Sequence, residues 1–431
     1  VLTTTLFHSS VNPRISLGFG TIYLTDILLI VNLLLIGIRS FVESDFRIVK
    51  TPLDKPLLLF VGMALFATFI AIIYTPLKLR SSLHEMRIVS NYLVFFVVTN
   101  HIRDEKQQRF LINGFILLAT IVGGAMILQY VLGPSVPIIP GRVEVLKTAG
   151  ERYSGVTRII PPGYLMPFIS FVLLSVILLS DDVRNSNRGL LIPWALAAIG
   201  VLLTFKRQLW IGALLTFPLI ALFTKRRNLS KLVRGSMTIL FVAVPGFLFL
   251  YAFTGDVGPK LINSSLVRLT SLTNYDDPNS TLSHRSYEYD YAFPQIAAHP
   301  LLGLGLGSRY RPLVPGRDWE KYDGRAYMHN SYLWIVVKAG LLSFLPFLLL
   351  ILRSLYRGFK YWRSVPDTRQ GLYVLGFTLA FFLVLTTGSW ASPALMEWGP
   401  PPAIGVMLGI NELILKRTNL TRPSFYQRKV V

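Results

Sequence analysis

Along this chain, runs of mostly apolar residues alternate with short clusters of Lys, Arg, Asp and Glu. Crossing about 30 Å of hydrocarbon takes about 20 residues of helix, so runs of that length predict membrane spans. Eleven are predicted: Ile22 to Ile38, Leu57 to Thr75, Ile88 to Asn100, Phe110 to Leu132, Pro162 to Ser180, Gly189 to Phe205, Gln208 to Thr224, Gly235 to Phe253, Asn330 to Leu352, Gly371 to Gly388 and Met396 to Leu415. The third is short. The last carries Pro400, Pro401 and Pro402, and proline at membrane depth marks a kinked or broken helix.

Composition turns these runs into a fold class. Of 431 residues, 52% are hydrophobic and only 15% charged, with a mean hydropathy of +0.52. Soluble domains carry about 25% charged residues, so this chain cannot clothe itself in a water-facing surface. The expectation is an all-α, polytopic membrane helical bundle. Zero cysteines exclude disulfides, thiolate chemistry and cysteine-ligated metals. Lys and Arg outnumber Asp and Glu by 43 to 22, and in a membrane protein basic residues gather in cytoplasmic loops. With the C-terminus inside, one set of loops holds 24 Lys plus Arg in roughly 79 residues, and the other holds 18 in roughly 143. The denser set is assigned to the cytoplasm. Val1 then falls outside with no export signal and no initiator Met, which leads to the expectation of one earlier helix and twelve native spans with both ends inside.

The predicted organisation is spans 1 to 8 over residues 1–253, an outward loop subdomain over 254–328, and the remaining spans with a cytoplasmic tail over 329–431. A second outward loop, Gly133 to Ile160, is shorter. The long loop contains a helix-like segment from His284 to Ala298 and a glycine turn from Pro300 to Gly307. It also carries Lys260, Arg268, Arg285, Arg309, Arg311, Arg317, Lys321 and Arg325 on the side where positive charge is disfavoured, an excess suited to an anionic ligand. The ninth span opens on His329-Asn330, with Gly340 eleven residues after the histidine. Eleven residues make about three helical turns, so Gly340 is expected on the histidine's stripe, admitting a close neighbour. A histidine at the water boundary can accept a proton near neutral pH. Between the sixth and seventh spans stand only Lys206 and Arg207, and a guanidinium matches phosphate oxygens two at a time.

Thr204-Phe205-Lys206-Arg207, Ser283-His284-Arg285 leading into Ala298-His299-Pro300-Leu301-Leu302-Gly303-Leu304-Gly305, and His329-Asn330 with Gly340 resemble the motifs of the O-antigen ligase and O-antigen polymerase superfamily of membrane glycosyltransferases. The order of the three pieces and the long loop between the eighth and ninth spans match as well. The resemblance implies transfer of a glycan from an undecaprenyl-pyrophosphate carrier to an acceptor hydroxyl, a lipid A core sugar for a ligase, at the periplasmic face of the bacterial inner membrane. It implies no metal, no cofactor and no nucleic-acid partner. Carried over residue by residue, Arg207 and Arg285 resemble the pyrophosphate-binding arginines and His329 the catalytic histidine, with Asn330 and Gly340 in support. Ser343 stands where the ligase pattern often has Gly, Thr or Tyr, and Lys206 where Ser commonly precedes the first arginine. A polymerase of the same superfamily is the nearest alternative.

The chemistry agrees with that implication. A sugar on pyrophosphate already has a good leaving group, so the protein must neutralise developing charge and activate one hydroxyl. No Asp-x-Asp pair or His-x-x-x-His cluster lies on an outward loop, and Asp276-Asp277 before Pro278 reads as a turn. Gly303, Gly305 and Gly307 lack the preceding strand and following helix of a phosphate loop. Tyr310, Trp319, Tyr322 and Tyr327 suit either interfacial anchoring or sugar stacking. A transporter or flippase would also have a dozen helices. It would be expected to repeat interrupted helices in two halves and to bury more acids in its spans, where Asp26 and Lys338 are the chief ionisable residues.

Overall fold

The computed structural model describes residues 13–17, 20–136, 138–139, 141–145, 157–161, 165–180, 188–224, 229–230, 232–237, 281–313 and 324–417. The chain is mostly helical. A hairpin, β1 (Arg14–Leu17) and β2 (Gly20–Tyr23), leads into α1 (Leu24–Val42), α2 (Asp54–Tyr74), α3 (Leu79–Ser90), α4 (Val94–His101) and α5 (Glu105–Leu132). A second hairpin, β3 (Arg142–Val145) and β4 (Thr157–Ile160), precedes α6 (Leu165–Leu179), α7 (Arg188–Leu203) and α8 (Arg207–Phe223). After α9 (Thr281–Ala298) come α10 (Ser331–Tyr361), α11 (Thr368–Leu383) and α12 (Pro400–Arg417). The chain is mostly helical as expected, with two short antiparallel hairpins added, the second within Gly133 to Ile160.

Among the described residues, five helices are long and apolar enough to cross a membrane: Leu24–Val42, Asp54–Tyr74, Glu105–Leu132, Ser331–Ser364 and Thr368–Gly388. Pro167–Leu179, Gly189–Leu203 and Arg207–Phe223 are shorter apolar helices. The predicted third span is divided, because a 3₁₀ turn at Asn91–Leu93 separates α3 from α4. The predicted eighth span lies largely outside the described residues, as do Val1 to Phe7, Asp276-Asp277, Trp319 and Tyr322.

Two kinds of surface sort the helices. α1 exposes Ile27, Ile30, Leu34 and Phe41, a dressing that suits hydrocarbon and not water. The bundle interior is instead built where α10 packs on α2, α11 on α6, α5 on α7 and α12 on α4. Phe60, Tyr92 and Phe347 meet there as a cluster of rings, with centroids 4.6 to 6.0 Å apart. The predicted stripe from His329 to Gly340 does not run through one continuous helix. His329 precedes the helix start, and Gly340, at φ +67°, interrupts α10 in a conformation that favours glycine. What approaches Gly340 is the backbone of the glycine turn, not another helix; a Cβ there would overlap the Leu301 carbonyl. The backbones are stitched together by Leu304 N–H to the Val337 carbonyl at 2.9 Å and Gly305 N–H to the Lys338 carbonyl at 2.8 Å. Pro300 and Leu301 carbonyls in turn accept from Leu341 and Leu342.

Candidate active site

The N-terminus of α10 is fixed by Asn330, whose Oδ1 accepts from the Tyr332 and Leu333 backbone N–H groups at 3.0 and 3.2 Å. This satisfies two of the donors that a helix start leaves open. His329 therefore stands immediately outside a capped helix. Glu288 holds it from α9: Oε2 accepts the His329 backbone N–H at 2.8 Å, and Oε1 lies 2.7 Å from Nδ1. The glutamate side chain is 4% exposed and the histidine side chain 36%. A carboxylate accepts only, so Nδ1 carries the hydrogen and the neutral ring's lone pair is on Nε2. The Tyr327 ring meets the imidazole edge to face at 4.9 Å and restrains its tilt.

Arg285, Glu288 and Tyr289 fall at i, i+3 and i+4 on α9, so one face of this helix carries all three. Tyr289 Oη accepts from Asn330 Nδ2 at 3.3 Å, and Arg285 Nη2 donates to the Ala391 carbonyl at 3.0 Å. Ala391 lies in the irregular segment 389–399, which follows a π-helical turn at Val384–Gly388. The same segment receives α10: Ser331 N–H donates to the Ser389 carbonyl at 2.8 Å, and Tyr332 Oη to the Leu385 carbonyl at 2.8 Å. Segment 384–396 is thus the common bed of the histidine and of Arg285.

The helix that opens on Arg207, α8, packs against the 384–388 turn of that bed. Thr204 to Lys206 form the tight turn between α7 and α8, with buried Phe205 at φ +49°, so Arg207 begins α8 directly. Gly212 faces Thr387 closely enough that an added Cβ would lie 3.2 Å from its Oγ1. Five residues separate Arg207 from that contact, about 7.5 Å of helix. The turn is held from outside by Arg158 on β4, whose Nε donates to the Thr204 carbonyl at 3.1 Å.

Of the residues predicted from sequence, His329, Asn330 and Arg285 are joined through α9 and segment 384–396, and Arg207 is tied to that segment through α8. Gly340 stands apart, supporting the glycine turn. Sequence reasoning missed Glu288, Tyr289 and Arg158. Glu288 had a legible signal, three residues beyond Arg285 in a segment already read as helical. Among the described residues, no three His, Asp or Glu side chains gather as metal ligands do.

No curated protein matches the chain. The family described as O-antigen ligase has a model that matches residues 192–348, a stretch containing Arg207, Arg285, Glu288, His329 and Gly340. Such families comprise membrane glycosyltransferase-like enzymes. With its apolar helices, this chain is a multi-pass membrane protein whose residues 192–348 are similar to the O-antigen ligase family.

Proposed function

We propose that this protein transfers a glycan from an undecaprenyl-pyrophosphate carrier to a sugar hydroxyl, with His329 as general base. The observation that carries the reading is the double grip of Glu288 on His329, which commits Nδ1 and leaves Nε2 as the acceptor of a proton. The acceptor hydroxyl loses its proton to Nε2 as its oxygen bonds to the anomeric carbon. The bond from that carbon to the pyrophosphate oxygen breaks, and carrier pyrophosphate departs with the electron pair. Arg207 and Arg285 neutralise the charge growing on the leaving group, each through charged hydrogen bonds worth about 1.5 to 3 kcal/mol. Glu288 touches neither substrate; it positions the imidazole and stabilises it once protonated, as the carboxylate does in a Ser-His-Asp triad.

Purified protein supplied with carrier-linked glycan should consume it only when an acceptor is present. Product on a lipid A core sugar supports the ligase reading, product on a second carrier-linked glycan the polymerase reading, and no transfer to either rejects the proposal. Orientation has its own test in this cysteine-free chain. An impermeant thiol reagent should label Ser280→Cys from outside and not Ser364→Cys; the reverse would put the histidine on the cytoplasmic side.

A further inference from the structure

At the end of the bundle opposite His329, the first turns of α5 and α11 and the last turn of α12 enclose a cleft of about 120 Å³. Its lining is rich in donors: Gln108, Arg109 and Asn113 come from α5, and Arg369, Gln370 and Tyr373 from α11. Gln108 is 1% exposed. Its Oε1 accepts from Arg417 Nη1 at 3.2 Å, which fixes the amide's orientation and leaves Nε2 as a buried donor with no acceptor. A buried donor without an acceptor costs about 1 to 3 kcal/mol, so the site is complete only when an acceptor arrives.

The charges define that acceptor. Arg109 pairs with Glu105 and Asp367, and Asp367 also caps α11 by accepting from the Arg369 and Gln370 N–H groups. Counting Arg109, Arg369 and Arg417 against Glu105 and Asp367 leaves one positive charge, which a single phosphodiester balances. Apolar neighbours indicate what the phosphate is attached to. Ile112 and Ile414 form one wall, and from Asn113 an exposed stripe of Leu117 and Ile121 continues along α5, at i+4 and i+8.

We propose that this cleft binds the headgroup of an anionic phospholipid from the leaflet opposite the histidine, with the phosphodiester at Gln108, Arg109 and Arg369 and an acyl chain along Leu117 and Ile121. Basic pockets between helices at a membrane face are suited to such headgroups. The site is independent of the transfer reaction.

The test is native mass spectrometry of the full chain released from bilayer discs of phosphatidylcholine containing one-fifth phosphatidylglycerol. The wild type should retain phosphatidylglycerol selectively. Arg369→Gln, a change at an exposed position, should lower that retention about tenfold, the worth of one charged hydrogen bond. Gln108→Leu should lower it as well, with glycan transfer unchanged in both variants. Equal retention of the two lipids, or selective retention that Arg369→Gln leaves intact, overturns the proposal. Displacement of the lipid by millimolar inorganic phosphate, with phosphate held in its place, would assign the cleft to a free anion and overturn it too.

Discussion

Two glutamates meet two nitrogen bases near the N-terminal end of α10, and the two meetings differ in what they leave open. Glu288 holds His329 at 2.7 Å, yet the imidazole remains about one-third exposed and one ring nitrogen is uncommitted. Glu85 holds Lys338 at 2.5 Å, where the lysine side chain is 1% exposed. Every side of that second pair is occupied: Lys338 Nζ also donates to the Ser308 carbonyl at 3.0 Å and lies 5.4 Å from the Trp334 ring, while Glu85 Oε2 accepts Gly307 N–H at 2.6 Å. An ion pair so nearly enclosed, with the lysine 1% exposed, holds structure. A neutral imidazole that donates from Nδ1 and is partly exposed keeps a lone pair on Nε2 that can take a proton. Nine positions along the chain therefore separate a half-open pair from a clasp.

The comparison breaks most sharply at the histidine. His329→Ala should reduce glycan transfer by about 10² to 10⁴ while the protein stays inserted and abundant, and near-normal transfer in a membrane assay would remove the base role. Lys338→Met should do the opposite, lowering thermal stability and yield. Losing one member of a buried pair costs about 3 to 5 kcal/mol, and Glu85→Gln added to it should restore part of the melting temperature. A Lys338→Met protein as stable as wild type would show that the clasp holds nothing.

Finer changes sharpen the contrast. Glu288→Gln keeps the shape but loses one acceptor, so the imidazole is no longer fixed in one tautomer, and turnover should fall by about 10- to 100-fold. A purely structural Glu288 would be replaced by the isosteric Gln with turnover unchanged. The smallest effect is expected at the arginines: Arg207→Lys or Arg285→Lys keeps the charge but loses the planar fork, and should raise KM or lower kcat by about tenfold. Full activity in both lysine variants would leave pyrophosphate recognition to other groups.

Much of this arrangement was legible in the sequence, and the rest was hidden for identifiable reasons. The hydropathy runs placed most helices, and the segment from His284 to Ala298 emerged as α9, because these signals are local. Glu288 escaped because one acidic residue on a polar helix looks solvated until the partner 41 positions later folds onto it. The break at Gly340 escaped because helical periodicity assumes continuous helix, and only the approach of Leu301 shows why a left-handed residue is needed. Arg142 to Val145 alternates polar and apolar residues, a strand signal outweighed by treating the outward segment as a loop.

The clasp between Glu85 and Lys338 bears on how the protein is made. Its two halves leave the ribosome 253 residues apart. At roughly 5 to 20 residues per second, Glu85 waits about 10 to 50 s for its partner. Throughout that interval α3 has no lysine to bury against, and for its first 222 residues Gly307 has yet to be synthesised as well. A chain that ends before Lys338 therefore lacks both the clasp and the carbonyl of α10 on which Gly305 is seated.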